Sequence, residues 1–233
     1  MFRRCGYDLH RLPLSGLTLR DLEFDLPILV RSSDPVVIDA GANVGQTIDL
    51  MKRTFSKPAI YSFEPNPDLV QDLRNAYEIG GVVIEGVALG NSEGTATFYL
   101  SENSELSSLL EPDRRKENPF AATRLRTQLS VEVTRLDSWL NKRPLKKIDI
   151  LKIDTQGFDL EVLRGASAAL DARIVEIVLI EVNFLSFYKG QSAFGDIVQF
   201  MKDNGYGLLT LYEIARVQSC IGWATACFRK LPA

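Results

Sequence analysis

The residues that decide the fold read VVIDAGANVGQT at 36–47 and, after a helical interval, AIYSFEPNP at 59–67. Residues 36–39 are a short apolar, β-branched run with turn residues on both sides, which suits a strand covered on both faces. Gly41 and Gly45 then fall in a turn that opens a helix, where free backbone N–H groups and the positive end of the helix dipole hold a carboxylate or phosphate. Glu64 stands 25 positions after Asp39, at the end of the next strand. An acid there accepts both hydroxyls of a ribose. The pattern is that of a site for an adenosine-containing cofactor.

Glycine spacing narrows the cofactor. The dinucleotide pattern GxGxxG needs its second glycine two positions after the first, so that the backbone can approach a pyrophosphate. Here that position is Asn43, and the next glycine, Gly45, is four positions after Gly41. Asp39-x-Gly41-x-x-x-Gly45 instead resembles motif I of the S-adenosylmethionine-dependent methyltransferases. That cofactor has no phosphate. Its ammonium suits the acidic strand end at Asp39, and its carboxylate suits the N–H groups of the turn at Asn43, Val44 and Gly45.

Outward from this unit, alternating strands and helices fill most of the 233 residues, which suits one α/β domain at 35–233 behind a cap segment at 1–34. A helix is expected at 18–31. Val44, Ile48, Met51 and Phe55 form the stripe of an amphipathic helix. Asn66 and Pro67 start another, with Leu69, Leu73, Ala76 and Tyr77 on its buried face. Strands are expected at 82–85, 95–100, 131–134, 148–153 and 174–182, with helices at 136–140, 158–165 and 194–204. Strands at 206–213 and 222–229 make an antiparallel hairpin on the edge of a doubly wound, mostly parallel sheet. Between the strands at 95–100 and 131–134, residues 101–127 lose all periodicity and read as a lid.

A net charge of −3 gives no electrostatic reason to expect a nucleic acid or anionic membrane partner. Arg3-Arg4, Arg114-Arg115-Lys116 and Lys146-Lys147 read as solvated faces. No stretch approaches the roughly 18 apolar residues of a membrane span, and a cytoplasmic location is the default expectation. Cys5, Cys220 and Cys227 are too few for a disulfide framework and lack metal spacing. Cys220 and Cys227 could face each other across the closing hairpin, although buried free thiols are the better reading. His10, the one histidine, lies outside any motif, which argues against a histidine-based triad.

A second constellation, IDILKIDTQGFDLEVLRGA at 148–166, puts Lys152 and Asp154 at the carboxyl end of a buried strand. Open α/β sheets place their ligand crevice along that edge, so these charges face the same cleft as Gly41 and Glu64. The ordinary alternative is a structural ion pair. Together, VIDAGANVGQT, SFEPNP, VALGNSEG, Ser107-Ser108-Leu109, VTRLDSWL, LKIDTQGFDLEVLRGA and IEVNF resemble the FkbM family of methyltransferases over residues 36–212. The family's usual glutamate before the glycine is Gln156 here, one charge fewer.

The resemblance implies a class I, Rossmann-like methyltransferase fold and methyl transfer from S-adenosylmethionine to oxygen, on a hydroxyl of a sugar, glycoconjugate or secondary metabolite. An aliphatic hydroxyl must lose its proton as the new bond forms, to a carboxylate or through a metal. Asp154 is the first candidate base and Glu181 the second, with Lys152 orienting the acceptor. Asp39 and Gly41 line the methionine end, Glu64 takes the ribose, and Pro65, Asn66 and Ala88 flank the adenine. Asp154, Glu181 and Asn183 could converge on a magnesium ion, as in some O-methyltransferases of related fold. The rival readings are an NAD(P)-dependent Rossmann oxidoreductase or epimerase and a non-catalytic module that binds S-adenosylmethionine. The acceptor and the oligomeric state are not legible in the sequence.

Overall fold

A computed structural model describes residues 17–78, 80–115, 118–143 and 145–232. Cys5, His10, Arg3-Arg4, Lys116 and the first sixteen residues of the expected cap lie outside them. Helix α1 (Leu22–Val30) is shorter than expected. Asp21 caps its start by accepting the Phe24 N–H, and Arg31 closes it in the left-handed conformation. Strand β1 (Val36–Ala40) leads to α2 (Gln46–Thr54), β2 (Ala59–Phe63) and α3 (Pro67–Tyr77). Asn66 caps α3 with Pro67 in its first turn, as expected. The buried residues of α3 are Val70 and Leu73, whereas Ala76 is exposed and Leu69 is half-buried.

The phase of α2 also departs from expectation. Val44 is 53% exposed and precedes the helix, because Asn43 (φ +46°) and Gly45 (φ +97°) are left-handed and cannot belong to it. The buried stripe is Ile48 and Met51, with Phe55 just past the helix end.

Strands β3 (Val82–Glu85), β4 (Ala88–Leu89), β5 (Gly94–Ser101) and β6 (Leu125–Thr134) follow. The last begins six residues earlier than the apolar pattern suggests, because it pairs antiparallel with β5 as far as Leu125 opposite Ser101. These make an unexpected three-stranded sheet, β4-β6-β5. Beyond α4 (Leu136–Lys142) come β7 (Ile148–Ile153), α5 (Asp159–Gly165), the unanticipated α6 (Ser167–Asp171), β8 (Val175–Asn183) and α7 (Phe194–Asp203). The chain closes with β9 (Tyr206–Val217) and β10 (Cys220–Lys230). Both described cysteines sit on β10, so they do not face each other across the hairpin; Cys227 is buried and Cys220 exposed.

The main sheet has the order β3-β2-β1-β7-β8-β10-β9. Strands β1, β2, β3, β7 and β8 are parallel, and β10 runs antiparallel to both β8 and β9. This is the expected doubly wound sheet with an antiparallel edge hairpin. Its strands are apolar on both faces because each face carries helices. Val37, Ile150, Ile177 and Leu179 meet Leu22, Leu26 and Leu29 of α1 with Ile48 and Met51 of α2 on one face. Ile38, Leu151, Val178 and Ile180 meet Leu136, Leu163 and Met201 on the other. After β3 the chain returns to lay β7 beside β1, so winding reverses there, and at such a switch point the strand ends open into a crevice. Among the described residues no helix is long and apolar enough to cross a membrane.

Candidate active site

The crevice is a cleft of about 830 Å³ above the carboxyl ends of β1, β2, β7 and β8. One half is built by the turn after β1. The Gly41 and Ala42 N–H groups both donate to the Phe63 carbonyl, at 3.0 and 3.1 Å, which fastens the turn to β2. Gly41 has φ +90°, and a Cβ there would stand 2.0 Å from the Asp154 carbonyl oxygen. Only a glycine lets the turn after β1 lie directly on the end of β7. At Gly45 no side chain caps α2, so the N–H groups of its first turn have no side-chain acceptor there.

Asp39 is fully buried behind this turn. Its Oδ2 accepts the Ser62 hydroxyl at 3.0 Å, while Oδ1 has no hydrogen-bond partner. Burial pushes its pKa up to about 6, against the pull of the Lys152 ammonium and the Ser62 and Thr47 hydroxyls. Glu64, 4% exposed, accepts the Asn43 N–H on Oε2 and the Asn66 N–H on Oε1, each at 2.8 Å. Burial raises its pKa to about 7 despite those two bonds. Each oxygen keeps a second lone-pair site for a ribose hydroxyl. Gly41, Asn43, Glu64, Pro65, Asn66 and Ala88 all line the cleft, whereas Asp39, Val44 and Gly45 do not. Val44 points outward, and Gly45 packs under the Tyr77 ring.

The other half stands on β7 and β8. Lys152 Nζ lies 3.1 Å from Asp154 Oδ2 and is largely buried. Burial alone would lower its pKa, but the nearby Asp154 and Glu181 carboxylates outweigh this and keep it an ammonium. Gln156, left-handed at φ +54°, turns its amide between two acids. Nε2 donates to Asp154 Oδ1 at 3.0 Å and to Glu181 Oε1 at 2.9 Å, and Oε1 faces the Tyr188 hydroxyl at 2.9 Å. Burial, then the Asp154 charge, pushes the Glu181 pKa well above the usual carboxylate range.

Asp159, which the sequence reading leaves inside a helix, holds this turn. Its carboxylate accepts the Thr155 N–H and hydroxyl at 2.8 and 2.9 Å and the Gly157 N–H at 2.9 Å. Tyr188, Phe120, Phe187, Glu213 and Trp223 were also unread, and all but Tyr188 line the cleft. Asp159 alone has a sequence signal, a polar residue four places after Thr155 and two after Gly157. Part of the 101–127 stretch forms a wall of the cleft: the Ser108 hydroxyl donates to the Gln156 carbonyl at 2.8 Å, and the Asn118 amide donates to the Asp113 and Phe187 carbonyls at 2.6 and 3.0 Å.

Asp154, Glu181 and Asn183 all reach the cleft. Their donor set does not fit magnesium, however. The Lys152 ammonium at 3.1 Å from Asp154 already supplies the positive charge there and would repel a second cation, and Gln156 turns its amide N–H groups, not its oxygen, to both acids. Among the described residues no three His, Cys, Asp or Glu side chains converge as metal ligands.

Residues 39–208 match the model of the methyltransferase FkbM domain. Methyltransferase 1 of Beauveria bassiana is 31% identical over 57% of this chain and 58% of its own length. The 2-O-methyltransferase NoeI of Sinorhizobium fredii is 25% identical over 70% of this chain and 69% of its own. The hexuronic acid methyltransferase AglP of Haloferax volcanii is 26% identical over 64% and 56%. The matched stretch thus spans between 56% and 69% of these relatives' own length. The crystal structure of a methyltransferase FkbM from Methylobacillus flagellatus shares the fold with a TM-score of 0.54 at 15% identity, over 84% of this chain and 44% of that one. The family match displaces the nicotinamide reading, whose second glycine would stand where Asn43 is. The chain belongs to the FkbM family of S-adenosylmethionine-dependent methyltransferases.

Proposed function

We propose that the protein transfers the methyl group of S-adenosylmethionine to a hydroxyl oxygen of a sugar, glycoconjugate or secondary metabolite. The observation that carries this reading is the shared cleft, with Gly41 and Glu64 on one side and Lys152, Asp154 and Glu181 on the other. In this reading residues 35–233 form the methyltransferase domain behind the 1–34 cap. The turn at Asp39, Gly41, Asn43, Val44 and Gly45 holds the methionine end, Asp39 through its field and the turn through its N–H groups. Glu64 accepts the ribose hydroxyls, and Pro65, Asn66 and Ala88 flank the adenine. When bound, the cofactor supplies an electrophilic methyl on a sulfonium.

The chain's task is to place the acceptor oxygen in line with that methyl and to remove its proton. Asp154, whose side chain is 35% exposed to the cleft, takes the proton. The products are a methyl ether, S-adenosylhomocysteine and one proton. Glu181 is the alternative base, and Lys152 steadies the oxygen as its negative charge grows. Oxygen as acceptor is supported by the similarity to the 2-O-methyltransferase NoeI, and carbohydrate by that to the hexuronic acid methyltransferase AglP. Labelled-methyl transfer to a panel of glycosides and hydroxylated metabolites tests the reading. Tight S-adenosylmethionine binding with no transfer to any acceptor would favour the non-catalytic module instead.

Two expected results concern the cofactor half. Glu64→Ala weakens S-adenosylmethionine binding by about 1.5–3 kcal/mol, the worth of hydrogen bonds to a charged group. Titration calorimetry reads this directly, and an unchanged dissociation constant removes Glu64 from the ribose.

The second concerns pH. Glu64 titrates near 7 in the folded protein against an ordinary value of 4.5, so below pH 7 the folded state holds a proton on it. Ribose hydroxyls and a sulfonium favour the ionised carboxylate. Binding therefore expels that proton, and affinity rises with pH up to about 7 and levels above it. Calorimetry in two buffers of different ionisation enthalpy reads the released proton. The same raised value has the opposite sign for stability without cofactor. The folded state binds the proton more tightly than the unfolded chain, so this contribution is complete below pH 4.5 and lost as pH rises through 7. The melting temperature of the cofactor-free native protein is accordingly expected to fall more between pH 5 and pH 8 than that of Glu64→Gln, whose amide does not titrate.

A further inference from the structure

We propose that the acceptor half of the cleft is a saccharide subsite, which seats an uncharged pyranose ring on an aromatic wall of Phe120 and Trp223, backed by the buried Phe187, and discriminates against uronates. The inference rests on the methyl-transfer reading for its purpose, not for its geometry. Trp223 of β10 lies directly opposite Asn183 of β8, and Thr225 lies opposite Glu181. Directly opposed residues of antiparallel strands share a face, as do residues two apart on one strand. Trp223, Asn183 and Glu181 therefore rise from one face of the sheet into the cleft.

The Phe187 ring stands 5.9 Å from Trp223, and Phe120 stands 5.3 Å from Phe187 and 5.7 Å from Trp223. Phe120 comes from the 101–127 stretch and is held in place by the Asn118 amide on the Phe187 carbonyl. A sixth group arrives through a bulge. From Tyr212 opposite Thr225 to Ala215 opposite Trp223, β9 takes three steps while β10 takes two. Glu213 lies in that irregularity at φ +51°, accepts the Thr225 hydroxyl at 2.7 Å and lines the cleft. Bulges beside active sites redirect side chains in this way.

The wall and the acids together select the ligand class. A wholly apolar acceptor would dehydrate Asn183 and the Glu181 oxygen that Gln156 does not bond, and a wholly polar one would gain nothing from the aromatic wall. A pyranose has C–H groups on its faces for the negative face of an aromatic ring and hydroxyls around its edge for carboxylates and amides. The charge selects further. Glu213 supplies one carboxylate and Asp154 a second that Lys152 already pairs, while Glu181 adds an acid whose pKa burial raises. Arg53 on the opposite rim is paired with Glu23 at 3.2 Å, and Arg20 there adjoins Asp21. A sugar carboxylate entering beside Glu213 meets like charge in a partly dehydrated site.

Saturation-transfer NMR tests this with methyl hexopyranosides and the matching methyl hexopyranosiduronates, in the absence of cofactor. At least one neutral glycoside is expected to take up saturation on its ring protons, and its uronate counterpart to bind about tenfold more weakly. Trp223→Ala is expected to lower neutral-glycoside affinity roughly tenfold while the S-adenosylmethionine dissociation constant stays the same. Phe120→Leu, in a loop outside both sheets, gives the same reading if Trp223→Ala fails to fold. Glu213→Gln is expected to narrow the gap between neutral sugar and uronate. Uronates that bind as well as neutral sugars overturn the proposal, as does a folded aromatic variant with unchanged glycoside affinity. A protein that binds S-adenosylmethionine but no glycoside overturns the subsite alone. One that binds glycosides but no S-adenosylmethionine supports the subsite and overturns the methyl-transfer reading.

Discussion

Asp154→Asn is expected to lower labelled-methyl transfer by about 10²–10⁴-fold, the range for loss of a positioned general base, while cofactor affinity changes little. The asparagine has nearly the same shape but cannot take a proton. It also faces Gln156 Nε2 and Lys152 Nζ, both donors, with a group that carries no charge. The Asp154 main chain, which receives Gly41 and donates its N–H to the Ala40 carbonyl at 2.9 Å, is unaffected. The cofactor turn therefore keeps its support. Single-turnover rates for Asp154→Asn and Glu181→Gln, each with a measured S-adenosylmethionine dissociation constant, separate chemistry from binding. A larger loss in Glu181→Gln would transfer the role of base to Glu181. Equal cofactor affinity with undiminished turnover in Asp154→Asn would remove Asp154 from the reaction.

Gly41→Ala is expected to cost about 3 kcal/mol or more and to abolish cofactor binding. The new Cβ would stand 2.0 Å from the Asp154 carbonyl oxygen and 3.0 Å from its carbon. That carbonyl cannot swing aside. Its own N–H is tied to Ala40, and the next N–H, that of Thr155, is tied to Asp159 Oδ1 at 2.8 Å. For a chain of this length the loss corresponds to a fall in melting temperature of roughly 10 °C. Gly94→Ala is the control: it has φ +136° but nothing within 4 Å of the added carbon. It therefore reports backbone strain alone, about 1 kcal/mol. If the two variants melt together, the close approach of the β1 turn to β7 contributes nothing beyond its dihedral angle.

Elements whose signals are local were legible before folding. Strands β1 and β7 are mainly apolar, β-branched runs that carry few charges, Asp39 in one and Asp149 and Lys152 in the other, and Asn66-Pro67 marks the start of α3 within two positions. Val44 shows where periodicity misleads. It keeps the spacing of the α2 stripe, yet the left-handed Asn43 and Gly45 on either side remove it from the helix and leave it exposed. The first half of β6, residues 125–130, is mostly exposed and shows no alternation; its strand character comes from β5 alone. Gln156 is the sharpest contrast. In the sequence it is a missing charge, whereas in the structure its two N–H groups join Asp154 to Glu181.

Residue order alone points to the cofactor half that we propose, because its glycines, strand-end acids and helix start lie within some thirty positions and act through backbone conformation and short-range capping. The proposed acceptor half exists only in the folded chain. Phe120, Phe187, Glu213 and Trp223 come from separate loops and strands, and no local pattern reports which side chains a sheet register, a bulge and a loop anchored by one asparagine will bring together.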